Sequence, residues 1–359
     1  MDAKATSRDV ARLAGVSQSC VSFILNNSSK ASFSEETRER VFEAARALNY
    51  RLPEHKKSGQ KPPKSLLVLI PTLANQYYAE LGRAIESFVD TGETKVMVCS
   101  TFRKSELEKY YLDFFVGAGI GGIVYTFLPN FPEQVERINR EIPVVLIGEK
   151  QDELSICSIE LSNAKAASLL GEHLYSMGHR RFAFVSTRMD RMTLARRQRM
   201  EALRLMAESR GLSGDAVEVV SPSGDCEENE ADNCSQPYEY TIGQSLTKSL
   251  LEKGCRATAF VGANDMIAIG VMRALTEAGY RIPEDFSVCG FDNIFMSSVV
   301  TPALTTIDHQ LNMRCRLALD MIIARNRRDD AQTFAQASKI EYAPLLVARG
   351  STGPAKKGG

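Results

Sequence analysis

The 359-residue chain has no apolar stretch near the ~20 residues that a bilayer-crossing helix requires; its apolar runs, such as residues 65–70 and 144–147, are strand-sized. A membrane span is excluded. The polar start, from Met1 to Ser7, lacks the apolar core and small-residue cleavage site of a signal peptide, so the expected location is the cytoplasm. The cysteines (Cys20, Cys99, Cys157, Cys226, Cys234, Cys255, Cys289, Cys315) form no C-x-x-C pair and no Cys/His cluster at zinc spacing. Reduced thiols, no metal and no cofactor are expected. There is no P-loop, no H-E-x-x-H and no G-x-S-x-G, and His55, His173, His179 and His309 stand beside no recognisable nucleophile. The chain is therefore not expected to be an enzyme, and His179 is read as closing a helix end. The glycine-rich stretch 117–122 follows a helical pattern and precedes a strand pattern, the reverse of a dinucleotide-binding turn, and reads as a helix stop.

Net charge is also missing, with 44 Lys+Arg against 44 Asp+Glu. The balance hides an asymmetry, because residues 1–64 hold 12 Lys+Arg and 7 Asp+Glu while the remainder holds 32 and 37. A small basic unit on a mildly acidic body suits contact with a polyanion through one end. What is present is otherwise an ordinary globular composition, 44% hydrophobic and 25% charged, long enough for two or three units with their own cores.

In the basic segment Thr6-Ser7-Arg8-Asp9 has the pattern of a capping box, so a helix is expected to begin near Ser7. Val10, Leu13 and Ala14 would form its apolar stripe, and Gly15 permits a tight left-handed turn. Ser17 can cap a second helix, residues 18–25, with Val21, Ile24 and Leu25 inward. A third is expected over residues 34–49, with Val41, Phe42, Ala45 and Leu48 inward. Two short helices joined by Ala14-Gly15-Val16-Ser17 form a helix-turn-helix.

Further along, strand patterns at residues 66–70, 95–100, 122–127 and 144–147 alternate with helical ones at 78–90 and 105–116. The alternation returns with strands at 182–186, 216–220, 258–261 and 287–291 and helices at 196–210, 243–253 and 266–278. Repeated strand–helix units imply parallel sheets, and two sets imply two open α/β lobes. Ligands in such folds bind at the carboxyl ends of the strands, so the cleft between lobes is the expected small-molecule site.

Several ordered motifs resemble the lactose-repressor/galactose-repressor (LacI/GalR) family over nearly the whole chain. They include Asp9-Val10-Ala11-Arg12-Leu13-Ala14-Gly15-Val16-Ser17, Glu172-His173-Leu174-Tyr175-Ser176-Met177-Gly178-His179, Asn264-Asp265-Met266-Ile267-Ala268-Ile269-Gly270 and Val288-Cys289-Gly290-Phe291-Asp292-Asn293. The resemblance implies an all-α helix-turn-helix head piece on a two-lobed α/β core of the periplasmic-binding-protein type. The expected division is a head piece over 1–52, a basic linker over 53–65 and a core over 66–350. Within the core, lobe 1 would take 66–176 and 305–337, and lobe 2 would take 177–304 and 338–350. The stretch 351–359 would be a disordered tail.

By the same resemblance, Arg199, Asn264 and Asp292 would bind an effector, with Asn75, Tyr77 and Tyr78 on the opposite wall. A guanidinium, an amide and a carboxylate together suit a polyhydroxylated ligand such as a sugar. The alternative is that Asn264 and Asp292 cap helices and Arg199 pairs on the surface. Ala202 and Ser162 depart from the family pattern, which has Gly and Asp there. On DNA, the helix starting at Ser17 would enter the major groove with Gln18, Ser19 and Ser22 exposed near its start. Phe23 stands where many relatives carry a guanine-reading arginine and can offer only apolar contact. Ser7, Asn26 and Thr37 would touch phosphate.

The connector departs most. Gly59 falls near the position of the family's minor-groove leucine, and Pro62-Pro63 follows, so a flexible basic linker carrying Lys56 and Lys57 is expected in place of a hinge helix. The acidic stretch 221–237 reads as a disordered insertion. Taken together these features imply a homodimeric transcriptional regulator, most simply a repressor, with an operator duplex and a carbohydrate effector as partners. The rival readings are a solute-binding protein and a sugar-processing enzyme on the same lobes.

Overall fold

The computed structural model describes residues 7–16, 21, 37, 40, 41, 43–45, 48, 65–89, 94–150, 153–188, 193–222, 236–326 and 337–356. The chain forms two compact units, residues 1–61 and 62–359.

In the first unit α1 (Ser7–Ala14) ends at Gly15, whose φ of 68° is the left-handed turn expected there. Its buried side is Val10, Ala11 and Ala14, packed with Val21, Val41, Ala44 and Ala45. Leu13, expected inward, is 57% exposed. Both stripes are compatible with a helical period; the positions of the packing partners select the one through Ala11. Phe42 lies outside the described residues.

The second unit holds two parallel sheets. The first has the order β11-β5-β4-β3-β1-β2, built from β1 (Ser65–Ile70), β2 (Lys95–Ser100), β3 (Ile123–Tyr125), β4 (Val144–Ile147), β5 (Cys157–Leu161) and β11 (Lys339–Tyr342). Along β1 every residue after Ser65 is buried, because both faces are covered. Leu66, Val68 and Ile70 pack toward α2 (Gln76–Phe88) and α10 (Leu311–Asn326). Leu67 and Leu69 pack with Leu112 of α3 (Ser105–Gly117) and Val135 of α4 (Pro132–Asn139).

The second sheet has the order β7-β6-β8-β9, from β6 (Phe182–Val185), β7 (Val217–Val220), β8 (Ala259–Gly262) and β9 (Ser287–Cys289). It is covered by α5 (Asn163–Ser176), α6 (Leu194–Ser209), α7 (Tyr238–Glu252) and α8 (Asp265–Glu277). A short α9 (Phe295–Val299) follows, and β10 (Thr306–Asp308) pairs antiparallel with β12 (Leu345–Val347).

The backbones of α7 and α8 touch. A Cβ on Gly243 would lie 2.1 Å from Ile267 O, and one on Gly270 would lie 2.1 Å from Tyr240 O. A carbonyl cannot rotate away as a side chain can, so Gly270→Ala is expected to destabilise the core by about 3 kcal/mol. Urea unfolding checks this; an unchanged midpoint would contradict it.

The lobe boundaries differ from those expected. Helix α5 buries Ala166, Leu170 and Leu174 against Leu203 and Met206, so it belongs to lobe 2 although its sequence precedes residue 177. Strand β11 pairs with β5, so 339–342 belongs to lobe 1, and β10 bridges to lobe 2. The chain therefore crosses between lobes three times, near 162, 309–310 and 343–344.

The tail is also corrected. Ser351 and Thr352 are buried, Gly353 N–H donates to Ser287 Oγ at 3.0 Å and Ala355 N–H to Met177 O at 2.8 Å. Hydrogen bonds hold 351–356 against lobe 2; 357–359 lie outside the described residues. His179 closes the end of α5 as expected, its backbone N–H donating to Leu174 O at 3.2 Å. Its ring is buried and bonds Thr258 Oγ1, Ser287 Oγ and Gly353 O, joining the turn after α5 to the tail. Most of the linker, and 223–235 with Cys226 and Cys234, fall outside the described residues.

Candidate functional site

In each sheet the strand order reverses beside the first strand, between β1 and β3 and between β6 and β8, which leaves a crevice at the carboxyl ends. Loops leaving these ends carry Asn75 after β1, Thr126 after β3, Gly148 and Glu149 after β4, and Asn264 after β8. With side chains from α2, α6 and α10 they line one cavity of about 130 Å³.

Asn75 caps α2 by accepting from Tyr77 N–H at 3.0 Å, and its Nδ2 donates to Glu239 Oε1 at 3.1 Å. That bond ties lobe 1 to the first turn of α7 in lobe 2. Glu239 also receives Arg196 NH2 at 3.1 Å, and Arg196 NH1 donates to Thr187 Oγ1. Asn264 caps α8 through Ile267 N–H at 2.9 Å while its amide faces Glu239 at 3.5 Å. Capping and pocket lining are thus compatible at one residue.

Arg199 is buried rather than paired on the surface. Its Nε donates to Asn163 Oδ1 at 2.7 Å, its NH1 to Ala263 O at 2.7 Å, and its guanidinium lies 4.5 Å from the Phe291 ring centroid. NH2 reaches His309 Nε2 at 3.3 Å and Asp292 Oδ1 at 3.7 Å. A guanidinium only donates, so His309 Nε2 accepts and the ring proton sits on Nδ1, facing Asp292 Oδ1 at 3.7 Å. Asp292 caps no helix; it holds a φ of 120° between β9 and α9.

Burial dominates the electrostatics. It pushes the Asp292 carboxyl up to about 7 against the pull of Arg199 and Arg196, with Glu239 and Glu80 adding to the rise. It drives His309 well below its ordinary value, assisted by Arg199 and Arg314, so the ring stays neutral. Tyr77 is pushed up to about 12 by burial, keeping its phenol a donor. Tyr77 meets Tyr78 edge-on at 5.2 Å and His309 at 5.9 Å, forming an aromatic wall. The site can therefore offer donors, acceptors and a ring face to a polar, ring-shaped ligand.

The six side chains named from sequence for this cleft, Asn75, Tyr77, Tyr78, Arg199, Asn264 and Asp292, all line the one cavity. Sequence reasoning missed Glu149, Asn163, Arg196, His309 and Arg314, which also line it, and Glu239 behind them. Arg196 lay within reach, because it precedes Arg199 by three residues and so shares its helix face. In the head piece Ser17, Gln18, Ser19, Ser22, Phe23 and Asn26, and in the linker Lys56 and Lys57, lie outside the described residues. Ser7 opens α1 and Thr37 is half-buried. Among the described residues no His, Cys, Asp and Glu grouping could hold a metal ion, and no helix is long and apolar enough to cross a membrane.

A cleft between two parallel-sheet lobes, lined by polar groups from both, defines the class of two-lobed ligand-binding cores. Comparison with known proteins agrees: residues 172–352 match the periplasmic binding protein-like domain, and residues 6–52 match the bacterial regulatory proteins of the lacI family. The chain belongs to the LacI family. It is 29% identical over 355 residues to the ribose operon repressor of Halalkalibacterium halodurans, covering 97% of each chain. It is 28% identical to the catabolite control protein A of Priestia megaterium, covering 84% of this chain and 86% of the other. Among solved structures, the lac repressor dimer bound to operator and the anti-inducer ONPF aligns with a TM-score of 0.66 at 24% identity, covering 98% of this chain and all of that one. A LacI family regulator from Enterococcus faecium with bound ribose aligns at 0.67 with 23% identity, covering 82% of this chain and all of the other.

Proposed function

We propose that the protein is a sequence-specific transcriptional repressor whose operator affinity is set by a small polyhydroxylated ligand in the interlobe cleft. The observation that carries this reading is the convergence of Asn75, Arg199, Asn264 and Asp292, far apart in sequence, on one cavity at the carboxyl ends of both sheets. Family membership, a ribose operon repressor among the relatives and a ribose-bound neighbour support it. The cleft binds its ligand without turning it over: its acids and bases are engaged with one another. The protein acts as a homodimer, because a single three-helix head has a small interface and two heads on a near-palindromic operator reach useful affinity. Gln18, Ser19, Ser22 and Phe23 read base edges, and Ser7, Ser17, Asn26 and Thr37 hold the backbone.

Closing or opening the lobes around ligand changes operator affinity, and by linkage operator changes ligand affinity by the same factor. Selection of bound duplexes from a random library, followed by a sugar screen on the selected complex, tests this. Absence of any duplex preference, with or without sugars, would sink it. The linker contributes phosphate attraction through Lys56, Lys57 and Lys61. Replacing all three by alanine is expected to flatten the plot of log affinity against log salt by about one unit per lysine lost from phosphate contact.

A further inference from the structure

Three arginines are buried at this cavity, and one of them is unbalanced. Arg196 is paired with Glu239, and Arg199 with Asp292. Arg314, in the first turn of α10, is 2% exposed and lines the same cavity, yet no carboxylate of the described residues lies within ion-pair distance of it. Its NH2 donates to Ile159 O at 3.0 Å, and its Nε is buried without a hydrogen-bond partner. Of the carboxylates that line the cavity with it, Asp292 is paired with Arg199, and Glu149 is turned to the Asn163 N–H at 2.7 Å.

A buried cation without a counter-charge or a full set of acceptors is costly. Proteins keep such a group where a ligand completes it. A guanidinium completes best with a planar carboxylate or a phosphate, which its fork can grip through two parallel bonds.

We propose that the ligand of this cleft is an acidic sugar derivative, carrying a carboxylate or a phosphate that pairs with Arg314. The inference rests on reading the cleft as the effector site and names the chemistry of that effector. The sugar ring lies among Asn75, Asn264 and the Tyr77–Tyr78 wall, and its anionic group turns toward α10.

The test is isothermal titration of the full-length protein with matched ligands. Ribose and glucose form the neutral arm, gluconate and glucuronate the carboxylate arm, and ribose 5-phosphate and glucose 6-phosphate the phosphate arm. At least one acidic compound is expected to bind about 100-fold more tightly than its neutral parent, with an affinity that falls as salt rises. The arm that binds distinguishes the two anions. Arg314→Met is expected to erase that difference, Arg314→Lys to retain part of it, and the ligand-free Met variant to melt no lower than the wild type, because an uncompensated charge has been removed. Binding of no acidic compound, neutral sugars bound as tightly as acidic ones, or an Arg314→Met variant that keeps the preference would overturn the inference. If operator binding responds to a neutral sugar alone, the regulator reading survives and this one fails; if no duplex is preferred at all, the regulator reading fails first.

Discussion

Replacing Arg199 by methionine is expected to lower the stability of the core by about 3–5 kcal/mol and to abolish its response to ligand. The size follows from what the side chain leaves behind. Arg199 is 5% exposed and satisfies Asn163 Oδ1 and Ala263 O while lying beside Asp292 and His309. Methionine fills similar volume but donates nothing, so two buried acceptors lose their partner and the Asp292 carboxyl loses its nearest cation. Burying the guanidinium is itself unfavourable and depresses its proton affinity, but with these neighbours in place the engaged state wins over the broken one. Arg199→Lys would restore the charge without the fork and recover only part of the loss. Urea unfolding measures the first effect and calorimetry with the tightest-binding ligand the second. A variant with wild-type midpoint and wild-type affinity would show that the guanidinium is incidental to the site.

The second large effect is in pH dependence. Asp292 reaches about 7 in the fold, well above the ordinary aspartate value near 4 that it has in the unfolded chain. Between those values the folded protein holds a proton that the unfolded chain has released. The associated stability is therefore full below about pH 4 and disappears as the pH climbs through 7. His309 works in the opposite sense. Its lowered proton affinity gives stability that is present above the ordinary histidine value near 6.5 and is lost as the pH falls. The two partly cancel in the wild type, so the expected result is a difference between proteins. Asp292→Asn removes the first contribution alone, and its melting temperature should rise relative to wild type between pH 5 and pH 8. Amide and acid are similar in shape, and the φ of 120° at this position is no worse for Asn. A constant difference across that range would mean that the carboxyl stays ionised throughout. Ligand affinity of the wild type should shift over the same interval, because the charge beside Arg199 changes there.

Much of this arrangement is legible in the amino-acid sequence. β-Branched and apolar runs mark β1, β2 and β4 to within a residue; β1 and β4, covered on both faces, are apolar at nearly every position. β5 escapes such a reading because Ser158 and Glu160 interrupt its pattern; they are buried all the same, Ser158 Oγ donating to Glu160 and Glu160 paired with Lys339. In the head piece the turn at Gly15 is forced by chemistry, whereas the choice between Leu13 and Ala11 depends on where Val41 and Ala45 stand.

Local stretches of chain are enough to dictate the alternating α/β architecture, the helix-turn-helix pattern, the basic asymmetry and, through family motifs, six members of the cleft. Periodicity, backbone preference and motif all act over short distances along the sequence. The three crossings between lobes, the packing of 351–356 beside His179, the meeting of Glu239 with Asn75 and the isolation of Arg314 emerge only when the chain is folded. Those features depend on which distant side chains share one low-dielectric space, and burial there turns ordinary residues such as Asp292 and Arg314 into groups whose charge must be balanced.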